Sequence, residues 1–209
     1  MSYNEKQVQI METAEELFAM NGFGSTSVRQ IADKAGVNLA MISYYFGSKE
    51  KLIEALVDYR MSHVRLTLES LLKDDSLTPL QKMNLLVTEY VDRIVQRHHF
   101  YKIMVTEHML DKNSEITVKL LKMKQRNTEV LQQILSEGQQ KKMFRKDVDI
   151  VMLMSVMVGT SNHALVNREF YRAYHKLEHL SEDEFITLLK QRVTEEIKAI
   201  FKAQLTYEG

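Results

Sequence analysis

The residues best suited to chemistry in this chain lie on one short predicted helix, residues 39–45. Its exposed face carries Leu39, Ala40, Ser43 and Tyr44, which are small, hydroxylated or aromatic. A helix face that only meets water more often carries lysine and glutamate. The chemistry is recognition by hydrogen bonds and apolar contacts, and the pattern is typical of a helix that enters a DNA groove.

Two short helices joined by a tight turn position this face. Ser27 and Gln30 form a capping-box pattern that predicts the start of the first helix. A helix-turn-helix needs a small residue where the helices approach, a turn glycine and a hydrophobic residue after it, and the sequence supplies Ala32, Gly36 and Val37. An ordinary helical hairpin is the alternative, but the short helices, the complete spacing and the unusual exposed face favour the helix-turn-helix.

Composition excludes several classes of protein. The chain of 209 residues is 44% hydrophobic and 27% charged, which is ordinary for a soluble globular protein. Apolar runs stay below the roughly 18 residues of a membrane helix, and the polar start MSYNEKQVQ does not resemble a secretory signal. With no cysteine, disulfides and thiolate zinc sites are excluded, and a cytosolic location is expected. One proline, seven glycines and the lack of alternating β-branched runs predict an all-α fold.

The charge balance is unusual for a nucleic-acid binder, because the net charge is zero. Residues 1–50 hold four basic and six acidic side chains, whereas residues 25–49 hold three basic side chains and one acidic one. Helix N-termini, hydroxyls and backbone N–H groups must therefore make much of any contact with phosphate. We accordingly predict that DNA affinity depends only modestly on salt.

Helical periodicity predicts a three-helix head with a helix-turn-helix at 1–48 and a helical bundle at 49–209. Asp147 is expected to cap the helix that contains the most hydrophobic segment. The predicted helices are 5–20, 28–35, 39–45, 49–72, 79–97, 100–110, 114–140, 148–167 and 182–204. The fourth helix joins head to body without a break, so movement of the body can reach the head through it.

The N-terminal region resembles the DNA-binding head of the TetR family of bacterial transcriptional regulators. The positions that carry the resemblance are Phe18, Gly22, Phe23, Thr26, Ser27, Val28, Ile31, Ala32, Ala35, Gly36, Val37, Ile42, Tyr44, Tyr45, Phe46, Ser48, Lys49, Glu50 and Leu52. The resemblance implies an all-α homodimer with an N-terminal three-helix head and a C-terminal body that binds ligand and dimerises. It also implies a repressor that a small molecule releases from its operator.

The resemblance further implies roles for residues of the head. The residues at positions that face base edges are Leu39, Ala40, Ser43 and Tyr44. The residues at positions that contact phosphate are Thr26, Ser27, Tyr45 and Lys49, and Arg29 is placed to reach a phosphate or a base. Leu39 departs from the polar residue often found at its position. Alternatives are packing of Tyr44 and Tyr45 on the head's own core and a solvated Arg29.

Two broadly hydrophobic helices lie in the C-terminal region. Residues 150–159 are hydrophobic on all sides, so they need burial on every face, and one face can pack on their own bundle while another packs on a partner subunit. Together with the last helix they resemble the family's interface of two helices per subunit, and a monomeric core is the alternative. The predicted interface residues are Val151, Ser155, Val158, Phe185, Leu189, Val193, Ile197 and Ile200.

Polar residues on predicted buried faces are candidates for a small-molecule site, because buried polar groups need partners. A structural hydrogen bond is the alternative for each of them. Thirteen methionines suit an apolar or amphipathic ligand, although methionine also fills cores. The candidate ligand-binding residues are Tyr101, Met104, His108, Asn127, Asn162 and His163.

Other chemistries find little support in the sequence. The pairs His98-His99 and His175–His179 have no carboxylates in the arrangement of a zinc helix, so we expect no metal and no other cofactor. With no phosphate loop, nucleotide fingerprint or nucleophile–base set, we predict that the protein is not an enzyme. We expect a cytosolic, homodimeric repressor that binds double-stranded DNA and a small effector, with no membrane partner. The alternatives are an activator, a regulator without ligand, a small-molecule binder whose head no longer recognises DNA, and a protein-binding role for the last helices.

Overall fold

The computed structural model describes residues 3–110 and 115–207, apart from the side chains of residues 62, 63, 65, 107, 108, 110, 115 and 116. All regular elements in these ranges are α-helices, which confirms the predicted fold class. They are α1 Glu5–Asn21, α2 Val28–Ala35, α3 Leu39–Phe46, α4 Lys49–Lys73, α5 Pro79–Gln96, α6 His98–Leu110, α7 Glu115–Gln140, α8 Ile150–Val166, α9 Arg168–Tyr174 and α10 Glu182–Leu205.

One compact unit comprises Met1–Thr67 and His98–Lys124. In it α1 packs on α2 and α6, and α2 packs on α3. The core includes Ile10, Phe18 and Ile31, together with the predicted anchors of the third helix, Ile42 and Phe46. Burial of these side chains fixes α3 from one side and leaves its other side exposed.

The second unit comprises Leu68–Arg97 and Gln125–Gly209, and in it α10 packs on α5 and α8. Its interior holds one buried cation, Lys82, whose Nζ donates to Glu137 Oε2 at 2.9 Å and to the carbonyl oxygen of Leu72 at 3.2 Å. A buried charge is tolerated because it has both a counter-ion and a hydrogen-bond acceptor. The predicted boundary at residue 48 divides the chain by function, and these compact units do not test it.

Most helix starts lie where the capping residues predict them. The capping boxes that begin at Ser27, Thr78 and Ser181 all form, each with its reciprocal pair of hydrogen bonds. The prediction that Asp147 caps α8 is wrong. Asp149 is the cap, since its Oδ1 accepts from two first-turn N–H groups, and Asp147 pairs with Arg145 instead.

The sequence predicts no helix between residues 167 and 182, because α9 has only seven residues and no side-chain cap marks its start. The side-chain amide of Asn167 donates to the carbonyl oxygen of His163 at 3.0 Å, which closes α8 and lets the chain turn by 71°. Within the described ranges no single helix is long and apolar enough to span a membrane, and α8 with α9 meets those criteria only as a bent pair.

Candidate nucleic-acid interface

The turn between α2 and α3 has the geometry of a helix-turn-helix. Gly36 has φ of 62°, a left-handed conformation that suits glycine, and its N–H closes α2. The next amide, of Val37, donates to the carbonyl oxygen of Ala32 at 3.0 Å, and the valine side chain packs against the core. Gln9 of α1 donates to the carbonyl oxygen of Ala35 at 2.9 Å, so the first helix holds the end of the second.

The outer face of α3 does not pack against the core of its own unit. Tyr44 is 84% exposed, and Leu39, Ala40 and Ser43 are exposed beside it. Tyr45 is half-buried against the core, with its ring 5.2 Å from that of Tyr44 in an edge contact. Core packing therefore accounts for Tyr45, whereas it does not account for Tyr44.

The start of α2 forms the second part of the candidate interface. Ser27 is exposed and caps the helix, because its Oγ accepts from the backbone N–H of Gln30 at 3.2 Å. Arg29 is exposed on the first turn. A helix N-terminus presents free N–H groups and a partial positive charge, so it can bind a phosphate oxygen.

Two residues predicted to contact phosphate are engaged inside the unit. Thr26 is only 1% exposed and its hydroxyl donates to the carbonyl oxygen of Gly22 at 2.9 Å, so the prediction for this side chain is wrong. Lys49 Nζ donates to the carbonyl oxygens of Phe23 and Thr26 at 2.8 and 2.9 Å. These acceptors lie more than 20 residues away in the sequence, so no local pattern predicts the contacts. A phosphate contact by Lys49 stays a prediction.

One basic residue of this region forms an ion pair with an acidic residue of the first helix. Lys34 Nζ lies 2.7 Å from Glu16 Oε2, and both side chains are largely exposed. The hydrogen bond from Lys34 holds the pKa of Glu16 below its ordinary value, against the opposing effect of desolvation. Because Lys34 already has a counter-ion, less positive charge is left for phosphate.

The candidate ligand residues divide between the two units. Met104 is buried in the core cluster of the first unit, and Tyr101 is half-buried against the same cluster. The side chain of His108 lies outside the described residues. Nothing observed for these residues assigns them a ligand.

The remaining three ligand candidates belong to the second unit. Asn127 is half-buried, and the amide of Asn162 donates to the carbonyl oxygen of Val158 at 2.8 Å, an ordinary bond within α8. His163 is exposed and lines an open groove of about 940 Å³ formed by α8, α9 and α10. Among the described side chains, no group of three histidine, aspartate or glutamate residues could hold a metal ion.

Part of the predicted subunit interface belongs instead to the core of the second unit. Phe185, Leu189 and Ile197 of α10 are buried within the chain itself, so their assignment to an interface with a partner is wrong. The apolar stripe of α10 correctly predicted a buried face, but that face packs on α5 and α8 of the same chain. Val151 and Ser155 are exposed, while the side chains of three others are half-buried: Val158, Val193 and Ile200.

An apolar surface remains uncovered on α8 and α9, and we call it the α8–α9 face. Its large apolar side chains are each more than half exposed: Val151, Met152, Val166, Phe170 and Tyr174. Exposed apolar side chains on two successive helices are candidates for contact with another molecule.

Comparison with known proteins identifies the family. A family model described as bacterial regulatory proteins, tetR family, matches residues 10–56. A second, described as tetracyclin repressor-like, C-terminal domain, matches residues 79–193, which is more than half of the chain. The chain belongs to the TetR family. It is a DNA-binding transcriptional regulator, and its relatives are regulators rather than enzymes.

Similar TetR-family proteins span most of the chain. The fatty acid metabolism regulator protein of Bacillus subtilis is 26% identical over 155 residues, 74% of this chain and 79% of the relative. The structure of the ketosteroid transcriptional regulator KstR2 of Mycobacterium tuberculosis matches with a TM-score of 0.74 at 21% identity, covering 99% of this chain and 98% of that one. FadR of Bacillus subtilis, in complex with stearoyl-CoA, gives 0.67 at 22% identity and covers 92% and 97%. At these identities the structures show a shared fold.

Proposed function

We propose that this TetR-family regulator is a repressor that binds a pseudo-palindromic operator as a homodimer and leaves it when a small molecule binds the body. Residues 1–48 form the DNA-binding domain, and residues 49–209 form the regulatory and dimerisation domain. The observation that carries the proposal is the exposed outer face of α3, with Tyr44 at its centre, on a helix whose other side is buried. Because its target is DNA, the protein acts in the cytoplasm.

The two short helices α2 and α3 make different contacts with DNA. The outer face of α3 enters the major groove, where Leu39 and Ala40 contact thymine methyl groups and Ser43 bonds to a base edge. The residues that complete the contacts are Tyr44 on the bases and Ser27, Arg29 and Tyr45 at the phosphates. Lys49, the first residue of α4, supports the loop before α2. In a symmetric dimer the two α3 helices lie about 34–36 Å apart, or somewhat more, in successive major grooves.

The α8–α9 face supports the homodimer. A stable interface buries about 800 Å² on each partner and has an apolar centre. The predicted residues Val151, Ser155 and Val158 belong to α8, and Val193 and Ile200 belong to α10, which packs on α8. Val166 and Phe170, which the sequence did not single out, join them in the proposed interface because both are exposed.

The effector is an apolar or amphipathic molecule, with a long-chain acyl thioester as the first compound to test. The support comes from relatives named as a fatty acid regulator and a ketosteroid regulator, and from a fold-level neighbour bound to stearoyl-CoA. The candidate contacts remain those predicted from the sequence, including Tyr101, Asn127 and His163. To release DNA, the effector must bind the released conformation more tightly than the DNA-bound one.

The decisive experiment selects genomic fragments with the purified protein and maps the protected bases by footprinting. A protected pseudo-palindrome is expected, and stearoyl-CoA should weaken protection if the effector class is right. The double variant Tyr44→Ala, Lys49→Ala should lose protection and remain a dimer by sedimentation. Failure of the unaltered, ligand-free protein to select any specific fragment at low salt would refute operator binding and leave a small-molecule binder whose head no longer recognises DNA.

A further inference from the structure

Lys49 is bonded to the loop that precedes α2. Its Nζ donates to the carbonyl oxygen of Phe23 at 2.8 Å and to that of Thr26 at 2.9 Å. The same ammonium lies 4.4 Å from the centroid of the Phe23 ring. The first residue of α4 therefore holds both ends of the segment 23–26.

The loop is also held from within the unit. The buried hydroxyl of Thr26 donates to the carbonyl oxygen of Gly22, and the Phe23 ring stands 5.1 Å from that of Phe18 in an edge contact. Directly after this segment, Ser27 caps α2. The α2 N-terminus thus follows a loop in which the carbonyl oxygens of Phe23 and Thr26 both accept from one ammonium. The Phe23 oxygen also accepts from the backbone N–H of Thr26 at 3.3 Å.

The chemistry of lysine limits what else this ammonium can do. An ammonium has three N–H donors, and two of those of Lys49 donate to carbonyl oxygens of its own chain. Hydrogen bonds from a charged donor are stronger than neutral ones, and the Phe23 ring adds a cation–π attraction. Moving the ammonium to a phosphate would break these contacts and leave two carbonyl oxygens without it.

We propose that Lys49 is a positioning residue for operator binding, which holds segment 23–26 so that the N-terminus of α2 meets a phosphate. Lys49 does so without making an ionic phosphate contact of its own. The inference rests on the proposed binding of the operator by the head. It differs from the role implied by the family resemblance, in which the lysine itself contacts phosphate.

The two roles differ in their salt dependence. Loss of an ionic phosphate contact lowers the slope of log affinity against log salt by about 0.9, because one fewer counter-ion is released. Loss of a positioning contact lowers affinity and leaves the slope unchanged. Arg29→Met is the matched charge control, since Arg29 is an exposed cation on the first turn of α2.

The test uses the full-length dimer, its footprinted operator and the variants Lys49→Met, Ser27→Ala and the double variant. Methionine keeps an unbranched stem over Phe23 and removes the donors. We expect Lys49→Met to weaken operator binding roughly tenfold with an unchanged salt slope. The loss of operator affinity caused by Lys49→Met should be smaller in the Ser27→Ala background, because both substitutions act on the same phosphate contact. The effects of the two substitutions on the free energy of unfolding should simply add.

Two results would overturn this inference and leave the proposed function intact. A salt slope that falls by about one unit in Lys49→Met would assign it an ionic phosphate contact. An unchanged slope with strictly additive effects on binding would mean that Lys49 only stabilises the fold. If the unaltered protein binds no operator, the proposed function fails and this inference fails with it, so the two kinds of failure are distinguishable.

Discussion

Arg60 of α4 donates from Nε to Glu15 Oε2 of α1 at 2.7 Å, and the side chains are only 8% and 7% exposed. A second donor of the same guanidinium reaches Glu12 at 3.3 Å. This pair ties the first helix of the head to α4, the helix through which movement of the body can reach the head. Movement of α4 near Arg60 must therefore carry α1 with it or break a buried ion pair.

Glu15→Gln should lower the free energy of unfolding by about 3 kcal/mol, because it leaves the buried Arg60 guanidinium without its closest counter-charge. Urea denaturation measures the effect. Glu16→Gln is the matched control, since Glu16 lies equally close to Lys34 but in an exposed pair, and its loss should cost less than about 1 kcal/mol. Equal losses in the two variants would show that burial does not strengthen the Arg60 pair.

Gly138→Ala should destabilise the protein by about 2 kcal/mol, because an added Cβ would lie 2.0 Å from Cδ2 of the buried Phe144. The cost exceeds the gain of about 1 kcal/mol in helix propensity. Thermal or urea unfolding measures it. In a Phe144→Leu background the penalty should be smaller, and an unchanged penalty would mean that the clash is not its cause.

The stability contributed by Glu137 should depend on pH. Hydrogen bonds from Lys141 and then Lys82 hold the pKa of Glu137 below its ordinary value, although desolvation opposes them. The pKa is therefore lower in the folded state than in the unfolded state. The contribution is complete above the unfolded pKa and is lost as the pH falls through the folded pKa.

Urea denaturation of the unaltered protein and of Glu137→Gln from neutral pH to roughly pH 3 tests this dependence. The difference in unfolding free energy should be largest at neutral pH and should shrink in acid. A difference that stays constant over this range would contradict the proposed ionic contribution of Glu137.

Val166→Glu should dissociate the homodimer, because it places a charge in the apolar α8–α9 face, where it would be desolvated on association. Sedimentation velocity measures the state of assembly. Met20→Glu is the control, since Met20 is a similarly exposed apolar residue on α1. A Val166→Glu protein that remains dimeric would remove this face from the proposed interface.

The sequence by itself determined the all-α fold, the helix-turn-helix and most helix starts. These features depend on interactions between residues three or four apart. Ser27 caps α2 because Gln30 stands three residues later, and Gly36 closes the same helix through its own φ. The outer face of α3 follows for the same reason, since helical spacing opposes Tyr44 to the buried Ile42 and Phe46.

Only the tertiary structure decided which partner each functional group has. Thr26 and Lys49 matched phosphate-contacting positions, yet the threonine hydroxyl is buried and the lysine bonds to carbonyl oxygens 23 and 26 residues earlier. Phe185, Leu189 and Ile197 formed an apolar stripe that identified a buried face without saying what covers it. Periodicity records that a side chain avoids water, but the group it meets is chosen by contacts between distant parts of the chain.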